Sequence, residues 1–220
     1  MLCHFSIDDV GRSLRWLTKT RPASFFDMRL FGKLQEWRHK YGLLTTLYCF
    51  ATIDEFDLMQ IPQEYAKEFE ANSDWLKLGF HGKSGDYPFS QESDYVEGYN
   101  TAAAAISNLG AGTTNMLRLH SWVATDKQKR LLLDVGVETL LYPDNEDLPY
   151  DCNGEFVQDG ITHKRTDVWF EKLPSLSPVS LCVGNKEVIA FTHEWCFDHE
   201  AEKIDEALSI YRNHGYSFFA

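Results

Sequence analysis

The stretch Phe5-Ser6-Ile7-Asp8-Asp9-Val10-Gly11 ends in two adjacent aspartates that follow an apolar run starting at Leu2. This run predicts a buried β-strand over residues 2–7. Side chains alternate across a strand, so neighbouring carboxylates at its end point in different directions. One carboxylate could then hold a metal ion while the other handles a proton. The alternative is that the pair starts a turn, because aspartate favours turns and helix caps.

Strand and helix patterns alternate along the rest of the chain. Further strands are predicted over residues 43–50, 75–80, 115–119, 137–142, 188–192 and 216–219, and helices over 25–41, 62–70, 91–109, 125–133 and 200–214. This alternation favours parallel strands joined by right-handed crossovers. With about seven or eight such strands, we expect an α/β fold of the β/α-barrel type, although an open sheet would show the same alternation.

Residues 143–187 break this rhythm. Short strands are predicted over 155–157, 161–163 and 168–170, and Asp159-Gly160 is a dipeptide typical of a hairpin turn. We interpret this segment as a small antiparallel insertion rather than a second domain. Residues 1–220 are therefore expected to form one domain.

Composition and charge argue against several classes of protein. The 220 residues are 44% hydrophobic and 14% aromatic, which suits a packed core, and the net charge is −12. This charge argues against binding to nucleic acid or to an anionic membrane surface. The sequence has no apolar run long enough to cross a membrane, no pattern of a signal peptide, and five scattered cysteines that indicate reduced thiols. We expect a cytoplasmic protein that binds neither nucleic acid nor a membrane.

Polar residues follow several of the predicted strands. Besides Asp8-Asp9, these are His81, the segment Arg118-Leu119-His120-Ser121-Trp122, and His193-Glu194-Trp195. Active sites in parallel α/β folds lie at the carboxyl ends of strands. A single histidine after a strand is more often structural, but several at the same end of one sheet favour a functional site.

The order of these motifs resembles the polysaccharide deacetylase superfamily, carbohydrate esterase family 4 and its relatives, over nearly the whole chain. Ser6-Ile7-Asp8-Asp9-Val10 is similar to the family's Thr/Ser-Phe-Asp-Asp-Gly, and His81-Gly82 to the start of its His-x-x-x-His. The segment 118–122 resembles its arginine motif, Asp167-Val168-Trp169 its Asp/Trp motif, and Phe191-Thr192-His193 its Leu-x-His. The resemblance implies a distorted (β/α)7 barrel.

The resemblance also implies roles for individual residues. Asp8 would be the general base, Asp9 and His81 would bind a divalent metal, Arg118 would hold the catalytic aspartate, and His193 would be the general acid. The family's second metal-binding histidine would fall at position 85, where this chain has Gly85, and Asp86 could supply an oxygen ligand instead. A hydrolytic zinc ion needs three protein ligands and one open position.

A sugar site is a further hypothesis. Trp122, Trp169 and Trp195 could stack on the apolar faces of a sugar, with His120 beside them, although ordinary core packing explains tryptophans equally well. The resemblance thus implies a metal-dependent hydrolase of a non-peptide amide bond, which would deacetylate an N-acylated sugar or a similar small molecule. Its partner would then be a small-molecule or carbohydrate substrate. The alternative is a catalytically degenerate relative that binds a carbohydrate or related ligand without hydrolysing it.

Overall fold

The computed structural model describes residues 1–85, 92–122 and 124–220. The strands are β1 Leu2–Val10, β2 Thr45–Phe50, β3 Thr52–Ile53, β4 Phe56–Asp57, β5 Leu76–Gly82, β6 Gly112–Thr113, β7 Met116–Leu117, β8 Thr139–Tyr142, β9 Glu155–Gln158, β10 Ile161–Arg165, β11 Val168–Trp169, β12 Glu187–His193 and β13 Ser217–Phe219. The helices are α1 Arg12–Thr20, α2 Arg29–Tyr41, α3 Ala66–Ala71, α4 Glu92–Asn108, α5 Asp126–Asp134 and α6 Glu194–Asn213.

The strands form two main sheets that together make a barrel. One sheet has the order β11-β12-β1-β2-β5-β6 and is parallel throughout, with β13 also parallel to the start of β1. The other has the order β7-β8-β10-β9. The chain passes from one sheet to the other between β6 and β7 and again between β10 and β11. The expected α/β fold, a distorted (β/α)7-type barrel, is confirmed.

The strand β1 lies at the centre of the larger sheet, between β12 on one side and β2 and β13 on the other. Its residues from Cys3 to Asp8 are buried, as expected for a parallel strand that is covered on both faces. The helices α2 and α6 pack on the outside, where the Trp37 indole donates a hydrogen bond of 2.8 Å to Asp205. The sequence pattern of a buried first strand is thus explained by its central position.

The predicted turn at Asp159-Gly160 joins β9 and β10 as an antiparallel hairpin. Gln158 pairs with Ile161, and both turn residues have positive φ, 52° and 86°, which is the two-residue hairpin geometry that Asp-Gly favours. The antiparallel part is smaller than the predicted insertion over 143–187. Strand β10 also pairs in parallel with β8, and β11 pairs in parallel with β12, so both belong to the barrel.

Two helices near the predicted site differ from the sequence prediction: α1 was not predicted, and α6 starts earlier than expected. Helix α1 begins directly after β1, and none of the residues before it caps its first turn with a side chain. Helix α6 begins at Glu194, several residues before the predicted start, because it follows β12 without a loop. By contrast, Thr125 caps α5 as predicted, and its side chain accepts a hydrogen bond from Gln128. Among the described residues, no helix is long and apolar enough to cross a membrane.

Candidate metal centre and active site

The end of β1 places its two aspartates in different surroundings. The pairing of β1 with β2 shifts register between Ile7 and Val10, and Asp9 has a φ of 58°, in the left-handed region that only some residues tolerate. Asp8 keeps the strand register opposite His193 and is buried. Asp9 is turned outward and its side chain is partly exposed. The two carboxylates therefore lie in different surroundings, as expected, but an irregular backbone at Asp9 separates them rather than the simple alternation of a strand.

Asp9 lies against two histidines from other strand ends. Its Oδ1 is 3.1 Å from Nε2 of His81, at the end of β5, and 3.3 Å from Nδ1 of His120, in the turn after β7. The ligand atoms of the three side chains lie within 4.8 Å of one another. Within the described part of the chain, this is the group of imidazole and carboxylate ligands that could hold a metal ion.

The tautomer of His81 supports a cation at this point. Its Nδ1 is 2.6 Å from the carbonyl oxygen of Arg118, and because a carbonyl only accepts, Nδ1 carries the hydrogen. In a neutral ring, Nε2 then presents a lone pair toward the Asp9 carboxylate at 3.1 Å, and this repulsion is relieved either by a metal ion between the two or by a second proton on the ring. A carbonyl that fixes the far ring nitrogen is also the common arrangement for metal-binding histidines. The three residues therefore fit a divalent metal ion.

The predicted ligand sets and this cluster overlap in part. Asp9 and His81, predicted as ligands, lie together, and Asp86 lies outside the described residues. His120, predicted to contact substrate, lies with them, and its Nδ1 is 3.3 Å from Asp9 Oδ1. The sequence signal for His120 was its position directly after a strand. Spacing alone did not show that it would reach Asp9, because the family pattern looks for the second histidine near position 85.

Asp8 pairs with Arg118 in the interior of the barrel. Its Oδ2 is 3.4 Å from Nε of Arg118, and both side chains are almost fully buried. The Arg118 guanidinium also lies 4.0 Å from the centre of the Phe191 ring, a cation–π contact. Burial raises the pKa of Asp8, and the charge of Arg118 opposes this shift. The predicted partnership of Arg118 with the first aspartate thus has a geometric basis.

His193, the last residue of β12, is held by a glutamate that the sequence did not single out. Its Nδ1 is 3.2 Å from Oε1 of Glu171, which also accepts a 2.8 Å hydrogen bond from the Thr192 hydroxyl. Burial alone would lower the pKa of His193, but the contact with Glu171 and the nearby Asp8 and Asp9 outweigh it, so the pKa is raised. Glu171 follows β11, in the turn after the predicted Asp/Trp motif.

The aspartate of that motif has a different position. Asp167 lies between β10 and β11, where its Oδ2 accepts a 2.9 Å hydrogen bond from the Ile189 amide and its Oδ1 pairs with Arg165 at 3.2 Å. Asp167 therefore links β10 of the smaller sheet to β12 of the larger sheet. Of the motif Asp167-Val168-Trp169, only Trp169 faces the predicted site, where its ring centre lies 5.5 Å from that of His193.

A small cavity lies between these side chains. It has a volume of about 180 Å³. Its lining consists of Asp8, His81, Leu119, His120, Ser121, Trp122, Trp169 and His193. Trp122 and Trp169 meet edge to face with their ring centres 5.6 Å apart, and so form one aromatic wall. Four of the predicted site residues thus reach the cavity beside the two tryptophans.

A second cleft, of about 360 Å³, opens on the outer side of Asp9 and His120. Trp195, in the first turn of α6, lines this cleft and is 59% exposed. Its indole nitrogen donates a 3.0 Å hydrogen bond to Asp9 Oδ2, and its ring stacks on His193 at 5.1 Å. Of the tryptophans predicted to contact substrate, Trp195 therefore touches the candidate metal ligand itself.

Glu194 has a structural role that the sequence did not reveal. Its carboxylate accepts hydrogen bonds from the amides of Gly11, Arg12 and Ser13, at 2.9, 2.8 and 2.6 Å. These are the orphan donors of the first turn of α1, so a residue far along the chain caps this helix. Glu194 therefore fixes the segment that follows the two aspartates.

No family model matches the sequence, and no curated protein matches it. The structure is similar to a peptidoglycan N-acetylglucosamine deacetylase, with 10% identity, a TM-score of 0.58, and coverage of 99% of this chain and 84% of that one. It is also similar to a family 4 acetyl xylan esterase from Clostridium thermocellum in complex with a cobalt ion, with 13% identity, a TM-score of 0.58, and coverage of 100% and 87%.

A third similar structure is a pseudoenzyme of carbohydrate esterase family 4 from Bacillus anthracis. It has 10% identity, a TM-score of 0.58, and coverage of 99% of this chain and 62% of that one. At these identities the likeness is one of fold. The polysaccharide deacetylase-like fold implied by the sequence motifs is confirmed, and it is shared by active enzymes and by a pseudoenzyme.

Proposed function

We propose that residues 1–220 act as one metal-dependent amide hydrolase domain that deacetylates an N-acylated sugar or a similar small molecule. The observation that carries this proposal is the meeting of Asp9, His81 and His120, whose ligand atoms lie within 4.8 Å of one another. The likeness of fold to deacetylases and esterases supports the reaction class. His120 would take the place that the family gives to a histidine near position 85.

Three ligands of this kind leave one coordination position open, as hydrolytic zinc sites require. A divalent ion bound there would polarise the acyl carbonyl and acidify the attacking water. Zinc fits a donor set of two imidazoles and one carboxylate.

The other residues of the proposal handle protons. Asp8 would accept the proton of the attacking water, and Arg118 at 3.4 Å would keep its carboxylate oriented. His193 would protonate the departing amine, since it lines the cavity and Glu171 holds its Nδ1. A backbone amide in the segment His120–Trp122 would help to hold the developing oxyanion.

The cavity and its tryptophans give the proposed substrate a place. A volume of about 180 Å³ accommodates an acyl group and part of a sugar ring, and Trp122 and Trp169 present apolar ring surface to it. Trp195 extends the aromatic surface into the outer cleft. The remainder of a larger substrate would lie in that cleft.

The test is the metal content of the purified protein and its dependence on His120. We expect about one zinc ion to bind per chain, and His120→Ala to weaken binding by at least about tenfold, because a ligand is lost. His39→Ala, which alters an exposed histidine on α2, is the matched control. Loss of binding in Asp86→Ala but not in His120→Ala would assign the third ligand to Asp86. Absence of any zinc or transition-metal binding would refute the hydrolase.

The second candidate function is a non-catalytic domain that binds a carbohydrate or related ligand. The pseudoenzyme among the similar structures and the absence of the family's second histidine favour it. Acetate release from N-acetylglucosamine oligomers and from acetylated xylan separates the two functions. Release that is lost in Asp8→Asn supports the hydrolase. Binding of the oligomers without any release, weakened in Trp122→Ala, supports the alternative.

A further inference from the structure

We infer that Trp195 is a positioning residue for the metal ligand Asp9: its indole N–H holds one carboxylate oxygen so that the other faces the two histidines. The inference rests on the proposed function, because it concerns the same metal centre. It adds a role to a residue that the sequence assigned to substrate binding.

The two oxygens of Asp9 have separate partners. Oδ2 accepts the hydrogen bond from Trp195 Nε1 at 3.0 Å, whereas Oδ1 lies 3.1 Å from His81 Nε2 and 3.3 Å from His120 Nδ1. A carboxylate without a partner on its outer oxygen can rotate about its terminal bond, which is a soft torsion. The indole therefore selects the orientation in which Oδ1 is presented to the metal centre.

The backbone around Asp9 makes such an anchor necessary. Asp9 has a φ of 58° and sits at the register shift between β1 and β2, so strand pairing does not fix its side chain. The chain before Asp9 and the chain after it are held by His193 and Glu194, the two residues that precede Trp195. Asp8 pairs with His193 in the sheet, and Glu194 binds the amides of Gly11, Arg12 and Ser13. Trp195 completes this set by holding Asp9 itself.

The exposure of the Trp195 ring distinguishes a positioning role from a role in packing the core. Trp195 is 59% exposed, so it buries less apolar area than a core tryptophan, and its N–H donates to Asp9. The same ring stacks on His193 with an interplanar angle of 23°. Removal of the N–H without removal of the ring therefore tests the hydrogen bond and leaves the stacking surface in place.

The experiment compares Trp195→Phe with Trp16→Phe, which alters the other strongly exposed tryptophan, on α1. Zinc affinity is measured by competition with a chelator, and the cobalt-substituted proteins are compared by visible absorption. We expect Trp195→Phe to weaken zinc binding about 10–100-fold, as is usual for the loss of an outer partner of a metal ligand, and to change the cobalt spectrum. Trp16→Phe should leave both unchanged. The urea midpoint of unfolding, measured on the metal-free proteins, should be the same in all three, because weaker zinc binding by itself lowers the midpoint of the zinc-bound protein.

The outcomes separate this inference from the proposed function. If the unsubstituted protein binds zinc and Trp195→Phe binds it within twofold, with the same cobalt spectrum, the inference is wrong and the hydrolase proposal stands. If the unsubstituted protein binds neither zinc nor cobalt, the proposed function fails, and the inference fails with it because Asp9 is then no metal ligand. Equal weakening in Trp16→Phe would also overturn it, since the effect would not be specific to the hydrogen bond.

Discussion

His81 at the end of β5 and His163 within β10 are both buried, yet their ring nitrogens have different surroundings. Both nitrogens of His81 face oxygen atoms, the Arg118 carbonyl and the Asp9 carboxylate. Neither nitrogen of His163 has a hydrogen-bond partner among the described residues, and its ring stacks flat on Phe156 at 4.4 Å. Burial alone therefore does not distinguish a candidate ligand from a core histidine; the oxygen partners do.

The same contrast appears in the titration of the histidines. Burial lowers the pKa of His163 to about 4 and that of His4, on β1, to about 3, so both rings are neutral in the folded protein near neutral pH. The pKa of His193 is raised despite burial, because carboxylates surround it. Strand ends of this barrel thus collect carboxylates beside histidines, whereas the strand interiors pack histidines against aromatic rings. Three predictions probe this difference.

The largest effect on activity is expected when Asp8, the buried carboxylate at the end of β1, is replaced. Asp8→Asn removes the proposed base, and we expect deacetylation to fall by about 100- to 10,000-fold while the zinc content stays the same. The variant also leaves the Arg118 charge without its partner, which should lower the free energy of unfolding by about 3–5 kcal/mol. Measurements of acetate release, zinc content and urea unfolding check these points. Asp134→Asn, at an exposed position on α5, is the control, and an active Asp8→Asn would refute the assignment.

A smaller effect is expected on the pH dependence. Glu171→Gln removes the carboxylate that helps to raise the pKa of His193, so this pKa should fall. A general acid must be protonated, and the rate falls as the pH rises through its pKa. The alkaline limb of kcat/KM should therefore move to lower pH. The stabilisation that the protonated ring gives the fold, which is present at low pH and lost as the pH rises through the raised pKa, should shrink too.

The profile of kcat/KM against pH measures this shift. Glu202→Gln, at an exposed position on α6, should leave the profile unchanged. An unshifted alkaline limb in Glu171→Gln would show that His193 does not limit the reaction as an acid. The carboxylates beside the histidine at this strand end would then have no part in the reaction.

The smallest effect is expected inside β10. His163→Leu replaces a ring with two unpartnered nitrogens by an apolar side chain of similar volume, so zinc binding and deacetylation should not change. In the unsubstituted protein, unfolded His163 takes up a proton near its ordinary pKa of 6.5, whereas the folded ring does so only near 4. Stability is therefore lost as the pH falls through this window, and the variant should lose less of it.

Urea unfolding at neutral pH and at about pH 4.5 measures the difference between the two proteins. His214→Leu, near the end of α6 and exposed, is the matched control because its ring is open to solvent. If His163→Leu loses as much stability in acid as the unsubstituted protein, His163 is not buried in neutral form. If His163→Leu lost zinc binding, His163 would belong to the functional site, and the contrast with the histidines at the strand ends would be wrong.

The elements that could be predicted from the sequence are those with local signals. The buried first strand, the Asp159-Gly160 hairpin and the Thr125 cap all follow from periodicity or turn chemistry, and all are present. Helix α1 was missed because its cap is Glu194, more than 180 residues away. Glu171 was missed for a similar reason, since it reaches His193 from a turn after a different strand.

The sequence by itself determined the parallel α/β fold and the strand ends that carry polar residues, because the alternation of strands and helices depends on neighbouring residues. Only the tertiary structure decided which atoms meet there. Asp9 reaches His81 and Trp195 across 72 and 186 residues, and His120 joins them from the end of β7. The order of strands in the barrel and the irregular backbone at Asp9 set these distances, and neither leaves a local signal in the chain.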